Sequence, residues 1–205
     1  MKKTAFCFDL DGTVTKQEIL PLISKKAGIH EEITLLTQIT LDGQIPFETS
    51  FKLRVKLLSN ILISTVREIV NKVILDQNIA DFIKQNSDNC YIVTGNLDVW
   101  IKELIEEKLK CKSFSSNADY SGDQINGISN ILNKGDAIQT LREKYSNIVA
   151  IGDSMNDCAM FKKANIGIAF GGVHNPVDSL IKLSDFVVYD SKSLINLLEN
   201  IKHES

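Results

Sequence analysis

Apolar residues follow two different rhythms along this chain of 205 residues. Thr4-Ala5-Phe6-Cys7-Phe8 is apolar throughout after Thr4 and stops at Asp9-Leu10-Asp11-Gly12, the form of a strand buried on both faces. Cys90-Tyr91-Ile92-Val93 before Thr94-Gly95-Asn96, and Ile148-Val149-Ala150-Ile151 before Gly152-Asp153-Ser154, repeat that form. Ile166-Gly167-Ile168-Ala169-Phe170 and Asp185-Phe186-Val187-Val188 supply two more such runs. Between them, residues 79–84, 99–109, 135–145, 155–164 and 194–201 carry apolar positions at helical spacing. Strand and helix therefore alternate, which predicts an α/β fold with a doubly wound parallel sheet covered by helices on both faces.

The rhythm breaks between residues 14 and 75, where no strand pattern occurs and four apolar stripes run at helical spacing. These are Ile19, Leu20, Leu22 and Ile23; Ile33, Leu35, Leu36 and Ile39; Leu53, Leu57, Leu58 and Ile61; and Val66, Ile69, Val70 and Val73. They predict a helical bundle inserted as a cap at 14–75, with the α/β core formed by 1–13 and 76–205. Gly28, Asp42-Gly43 and Ile45-Pro46 mark the expected helix breaks. A hairpin is expected over 113–128, turning at Ser121-Gly122-Asp123, and 203–205 reads as a frayed end.

Composition narrows the class. With 43% hydrophobic and 24% charged residues the chain is an ordinary globular one. Its net charge of -3 offers no basic field for a polyanion, so the expected partner is a small molecule and not nucleic acid. No apolar run approaches the roughly 18 residues of a membrane span. Cys7, Cys90, Cys111 and Cys158 form no C-x-x-C pair and sit in apolar settings, as expected of buried reduced thiols in a cytoplasmic protein. Nothing in the sequence indicates an oligomeric state.

The chemistry lies at the strand ends, which in an open parallel sheet form the ligand crevice. Asp9-Leu10-Asp11-Gly12-Thr13 closes the first strand, and Gly152-Asp153-Ser154-Met155-Asn156-Asp157 follows another. Asp and Gly alone are turn formers, but two such strings at two strand ends make coincidence a poor account. Asp9, Asp11, Asp153 and Asp157 brought together would repel one another, so a cation is expected among them. Oxygen ligands with open positions suit Mg²⁺ better than Ca²⁺. Zinc is disfavoured because His30, His174 and His203 are scattered, and His174 is expected to be structural or exposed. The absence of a Gly-x-x-x-x-Gly-Lys-Ser/Thr string excludes a P-loop.

Four motifs occur in order: Asp9-Leu10-Asp11-Gly12-Thr13, Thr94-Gly95 after Ile92-Val93, Lys134-Gly135, and Gly152-Asp153 with Asn156 and Asp157. With the inserted helices, they make the chain resemble the haloacid dehalogenase superfamily, in particular its phosphoserine phosphatase-like branch. The resemblance implies a Rossmann-like core, Asp9 as nucleophile and an aspartyl-phosphate intermediate. A phosphomonoester dianion repels a carboxylate, so attack by Asp9 needs Mg²⁺ and a cation such as Lys134 on the equatorial oxygens. Asp11 can protonate the leaving alkoxide and then deprotonate the hydrolytic water.

By the same resemblance, Asp9 and Asp153 ligate the metal through carboxylates and Asp11 through its backbone carbonyl. Thr94 and Gly95 hold the phosphate, Asn156 binds the phosphate or a metal water, and Asp157 supports the metal or pairs with Lys134. Glu18 and Arg54 match a clamp for a substrate ammonium and carboxylate, while Phe47 and Leu41 match apolar positions of the same pocket. Two positions depart from the branch: Asn96 stands where Gly is usual, and Gly12 where Ser is common. The expected reaction is Mg²⁺-dependent hydrolysis of phosphoserine to serine, or of a closely similar amino-acid phosphate. Another small phosphate ester, or phosphoryl transfer to an acceptor other than water, is the alternative.

Overall fold

The structure, a computed structural model, describes residues 4–41 and 44–203, with Leu41 described by its backbone alone. The expected break at Asp42-Gly43 and the end of the expected fray at 204–205 lie outside the described residues.

A seven-stranded sheet runs in the order β4-β3-β2-β1-β5-β6-β7. Its strands are β1 (Thr4–Phe8), β2 (Cys90–Leu97), β3 (Lys112–Ser121), β4 (Gln124–Asn130), β5 (Asn147–Gly152), β6 (Ile166–Phe170) and β7 (Phe186–Val188). All pairings are parallel except that of β3 with β4, which form the expected hairpin. β1 sits between β2 and β5, so the order of strands reverses around it, and crossovers leave toward both sides. That reversal opens a crevice at the carboxyl ends of β1, β2 and β5. Every residue of β1 is buried, which explains its unbroken apolar run.

The sheet is covered on both faces. One face packs α5 (Gln77–Gln85), α6 (Asp98–Glu103), which continues as a wider coil through Leu109, and α10 (Ser191–His203) against Phe6, Phe8, Ile92 and Val149. Phe6 and Phe8 meet Phe82 of α5 edge-on at 5.3 and 6.2 Å. The other face packs α7 (Lys134–Leu141) and α8 (Cys158–Phe161) against Ala5, Cys7, Tyr91 and Ala150. A short helix, α9 (Asp178–Ile181), was not foreseen in the pattern.

Helices α1 (Ile19–Ala27), α2 (His30–Leu41), α3 (Phe47–Leu58) and α4 (Ile63–Val70) lie between β1 and α5. The two segments that join them to the sheet run side by side. Thr15 bridges Leu75, the Lys16 N–H donates to the Ile74 carbonyl at 2.8 Å, and the Asp76 N–H donates to the Val14 carbonyl at 2.9 Å. The far end is tied as well: at the hairpin tip, Asp123 accepts the Ser64 N–H at 2.7 Å and the Ser64 hydroxyl at 2.5 Å, and so caps α4.

Four expectations need correction. Residues 155–164 form a tight turn at Met155–Asp157 and the single-turn α8 instead of one helix, because Asp157 is held back toward the strand end. The run at 185–188 is an edge strand with Phe186 and Val187 exposed, since no strand pairs beyond it among the described residues. Cys111 and Cys158 are only partly buried, unlike Cys7 and Cys90. His203, expected to fray, is the last residue of α10. No helix among the described residues is long and apolar enough to cross a membrane.

Candidate active site

The chain leaves β1 through a tight loop rather than a helix. Asp11 (φ -71°, ψ 131°) and Gly12 (φ 71°, ψ -9°) turn the backbone, and the Thr15 N–H closes the loop on the Leu10 carbonyl at 2.9 Å. Gly12 occupies the left-handed region, and a Cβ there would stand 2.8 Å from Asp153 Oδ2, so glycine permits both the turn and the close approach of that carboxylate. The Asp9 N–H donates to the Ile151 carbonyl at 2.8 Å, which sets Asp9 level with the end of β5. The first and fourth motifs are thus brought together by strand pairing.

Lys134, the first residue of α7, is buried and places its Nζ 2.6 Å from both Asp9 Oδ1 and Asp157 Oδ1. Burial alone would lower its pKa, but Asp157 and Asp9 outweigh that and hold the ammonium above its usual value. The other oxygen of Asp157 accepts from the Asp153 N–H at 3.1 Å and from the Ser154 N–H and hydroxyl, each at 3.0 Å. With both oxygens engaged, Asp157 is committed to Lys134 and to shaping the Gly152–Ser154 turn. It does so through the capping pattern Ser-x-x-Asp and not along the helix expected over 155–164.

Asp9, Asp153 and Asp157 bring carboxylate oxygens within 4.8 Å of one another. One ammonium faces these three carboxylates, leaving a buried excess of negative charge. Burial, then Asp157, push Asp153 up to about 7, and burial with Asp157 pushes Asp9 upward against the pull of Lys134. The Thr13 hydroxyl, donating to Asp153 Oδ1 at 3.2 Å, offsets little of this. An oxygen-donor set with uncompensated negative charge fits a hard divalent cation.

A cavity of about 170 Å³ opens above the cluster. Asp9, Asp11, Thr94, Gly95, Asp153 and Asn156 line its floor, and Glu18, Phe47 and Arg54 line it from the inserted helices. Arg54 is 7% exposed; its Nε reaches only the Ser50 carbonyl, at 3.4 Å, and its guanidinium lies 5.8 Å from the Phe47 ring centre. No carboxylate pairs with it among the described residues. Burial lowers its pKa from the ordinary arginine value. Glu18 is half-exposed, 3.6 Å from His174 Nε2, and burial together with Asp11 and Asp153 pushes its carboxyl up to about 8.

The structure therefore gathers Asp9, Asp11, Glu18, Phe47, Arg54, Thr94, Gly95, Lys134, Asp153, Asn156 and Asp157 around one crevice. The side chain of Leu41 lies outside the described residues. Leu20, Phe51 and Ser154 also line the cavity and were not singled out in the sequence. Leu20 and Phe51 read there as ordinary helix residues, whereas the capping pattern could have drawn attention to Ser154.

With the fold and site in view, the class of the protein is clear: the chain belongs to the haloacid dehalogenase-like hydrolase family, whose pattern matches residues 6–162. Within that family it is a phosphoserine phosphatase-like hydrolase. It is 29% identical over 183 residues to the phosphoserine phosphatase of Methanocaldococcus jannaschii, covering 82% of this chain and 86% of that protein. Over 181 residues it is 25% identical to the phosphoserine phosphatase of Archaeoglobus fulgidus, again covering 82% of this chain but spanning only about half, 53%, of that relative. A solved structure described as a phospho-aspartyl intermediate analogue of phosphoserine phosphatase superposes with a TM-score of 0.80. It is 26% identical, with 96% of this chain and 99% of that chain covered.

Proposed function

We propose that this chain is a Mg²⁺-dependent phosphomonoesterase that hydrolyses phosphoserine, or a closely similar amino-acid phosphate, to the free amino acid and inorganic phosphate. The observation that carries the substrate reading is Arg54. The buried Arg54, its guanidinium with one weak backbone partner and no carboxylate among the described residues, lines a cavity that also holds the proposed nucleophile. A buried cation without a counter-ion is costly, and an α-carboxylate on the substrate would complete it with two parallel hydrogen bonds. Glu18 on the same rim offers a carboxylate for the substrate ammonium.

The reaction follows from the floor of the cavity. Asp9 attacks phosphorus, forming one P–O bond as the ester P–O bond breaks. Asp11 gives its proton to the departing alkoxide, and Lys134 neutralises charge on the phosphoryl oxygens and on Asp9. Water then attacks the aspartyl-phosphate and passes its proton to Asp11, and the Asp9–phosphorus bond breaks to release phosphate. Thr94 and Gly95 orient the phosphoryl group. Asp9, Asp153 and the Asp11 carbonyl would hold Mg²⁺, which would supply charge neutralisation to the phosphate.

The test is phosphate release from phosphoserine, phosphothreonine, phosphoethanolamine, sugar phosphates and an aryl phosphate, each with and without Mg²⁺. Phosphoserine should be preferred, with phosphate released in proportion to substrate consumed. Arg54→Ala should raise the phosphoserine KM by roughly ten- to hundredfold, the worth of a charge-assisted hydrogen bond, and leave the aryl phosphate within about threefold. Equal losses on both substrates would remove the clamp.

A further inference from the structure

Asn96 is 4% exposed and stands at the end of β2, beside the reacting groups. Its side-chain Nδ2 donates to Asp11 Oδ2 and, at 3.1 Å, to the Thr94 hydroxyl oxygen; its backbone N–H reaches the same hydroxyl at 3.2 Å. The second oxygen of Asp11, Oδ1, accepts the Ile19 N–H at 2.7 Å from the first turn of α1. The two oxygens of one carboxyl are therefore held by donors on two separate elements.

We propose that Asn96 is a positioning residue for Asp11, and that it makes the enzyme effective on esters whose leaving oxygen must be protonated. The inference rests on the phosphomonoesterase reading above. Asp11 sits on a loop, at φ -71° and ψ 131°, where no regular hydrogen-bond pattern fixes its side chain. A single donor at Oδ1 leaves the carboxyl free to swing about that bond. A second donor at Oδ2 fixes its plane where Asp11 lines the cavity. Because proton transfer requires heavy atoms within about 2.6–3.2 Å, small misplacements of the acid are costly. A glycine at position 96 would keep the backbone N–H bond to Thr94 but lose both side-chain bonds, to Asp11 and to the Thr94 hydroxyl.

Phosphoserine leaves as an alkoxide that needs the proton, whereas 4-nitrophenyl phosphate leaves as a phenolate that does not. The measured quantity is kcat/KM, which reports the first phosphoryl transfer and excludes the later hydrolysis step common to all esters. In Asn96→Gly, and in Asn96→Ala, which keeps a Cβ in the strand, kcat/KM for phosphoserine should fall by roughly ten- to hundredfold, part of the range for general-acid catalysis. For 4-nitrophenyl phosphate it should fall by less than about threefold, so that the dependence on leaving-group pKa steepens. Retained aryl phosphatase activity also reports that the variants fold. In parallel, the Asn96 side-chain amide resonances of the wild-type protein should move in Asp11→Ala. Equal losses on both esters, no loss on phosphoserine, or unmoved amide resonances would overturn the positioning role while leaving the phosphatase reading intact. A wild-type protein that hydrolyses none of the esters in Mg²⁺ would instead overturn the proposed function and this inference with it.

Discussion

At the scale of single residues, the site is a problem of buried charge solved by close approach. Gly152 shows how tight that approach is: a Cβ there would stand 2.5 Å from the Asp157 carboxyl carbon. Gly152→Ala should displace Asp157 and strip Lys134 of one of its two partners, so both kcat and the denaturation midpoint should fall. Asp9→Asn should reduce turnover to background, as the proposed role of nucleophile requires, while circular dichroism stays native. Glu18 gives a pH prediction for the metal-free, substrate-free protein. Its carboxyl is pushed up to about 8, so between the ordinary glutamate range and pH 8 the folded chain holds a proton that the unfolded chain has lost. Stability from this group is thus present at low pH and is lost as the pH rises to about 8. Glu18→Gln should flatten that part of the stability profile, as read by denaturant midpoints at several pH values.

At the scale of elements, what matters is which ends are tied together. The strand ends were legible because β1, β2 and β5 are apolar runs that stop at polar strings, and a parallel strand buried on both faces leaves no other pattern. The hairpin over 113–128 was legible from its turn residues, but not the use made of its tip. Asp123 caps α4, 59 residues earlier in the chain, and a contact over that separation leaves no periodic trace. Asp123→Ala should lower the denaturant midpoint without changing the slope, and leave aryl phosphatase activity as it was, because the tip lies outside the catalytic cavity. The helix expected over 155–164 was misread for a related reason. Its apolar spacing is correct, but a hydrogen bond from the Asp153 N–H to Asp157 draws the first turn back to the strand end.

At the scale of the whole molecule, the fold concentrates negative charge that it does not itself neutralise. Three carboxylates share one ammonium in the buried cluster, so a divalent cation should stabilise the folded chain and not only activate it. At a hundred times its Kd such a ligand contributes about 2.7 kcal/mol. For a chain of this size that is roughly 5–10 °C in Tm. Thermal melts with Mg²⁺ and with excess chelator should differ by that amount, and Asp153→Asn should abolish the difference. Activity should disappear in chelator and return with Mg²⁺; full activity in chelator would refute the cation site.

The sequence by itself determined the α/β core, the helices that follow the first strand and the polar strings at the strand ends. These are written in local order: period, turn chemistry and short strings whose improbability does not depend on the rest of the chain. Tertiary structure gave Glu18 and Arg54, expected only from resemblance, a cavity in common with Asp9, gave Asp157 its bond to Lys134, and alone decided that Asn96 grips Asp11 across 85 residues. Each of those depends on how the helices sit on the sheet and on which strands pair, and a charge or an amide has the same appearance in the sequence whether it faces water or another element. Asn96 shows the difference: by type and spacing it is only a departure from glycine, and its partners appear once β2 lies beside β1.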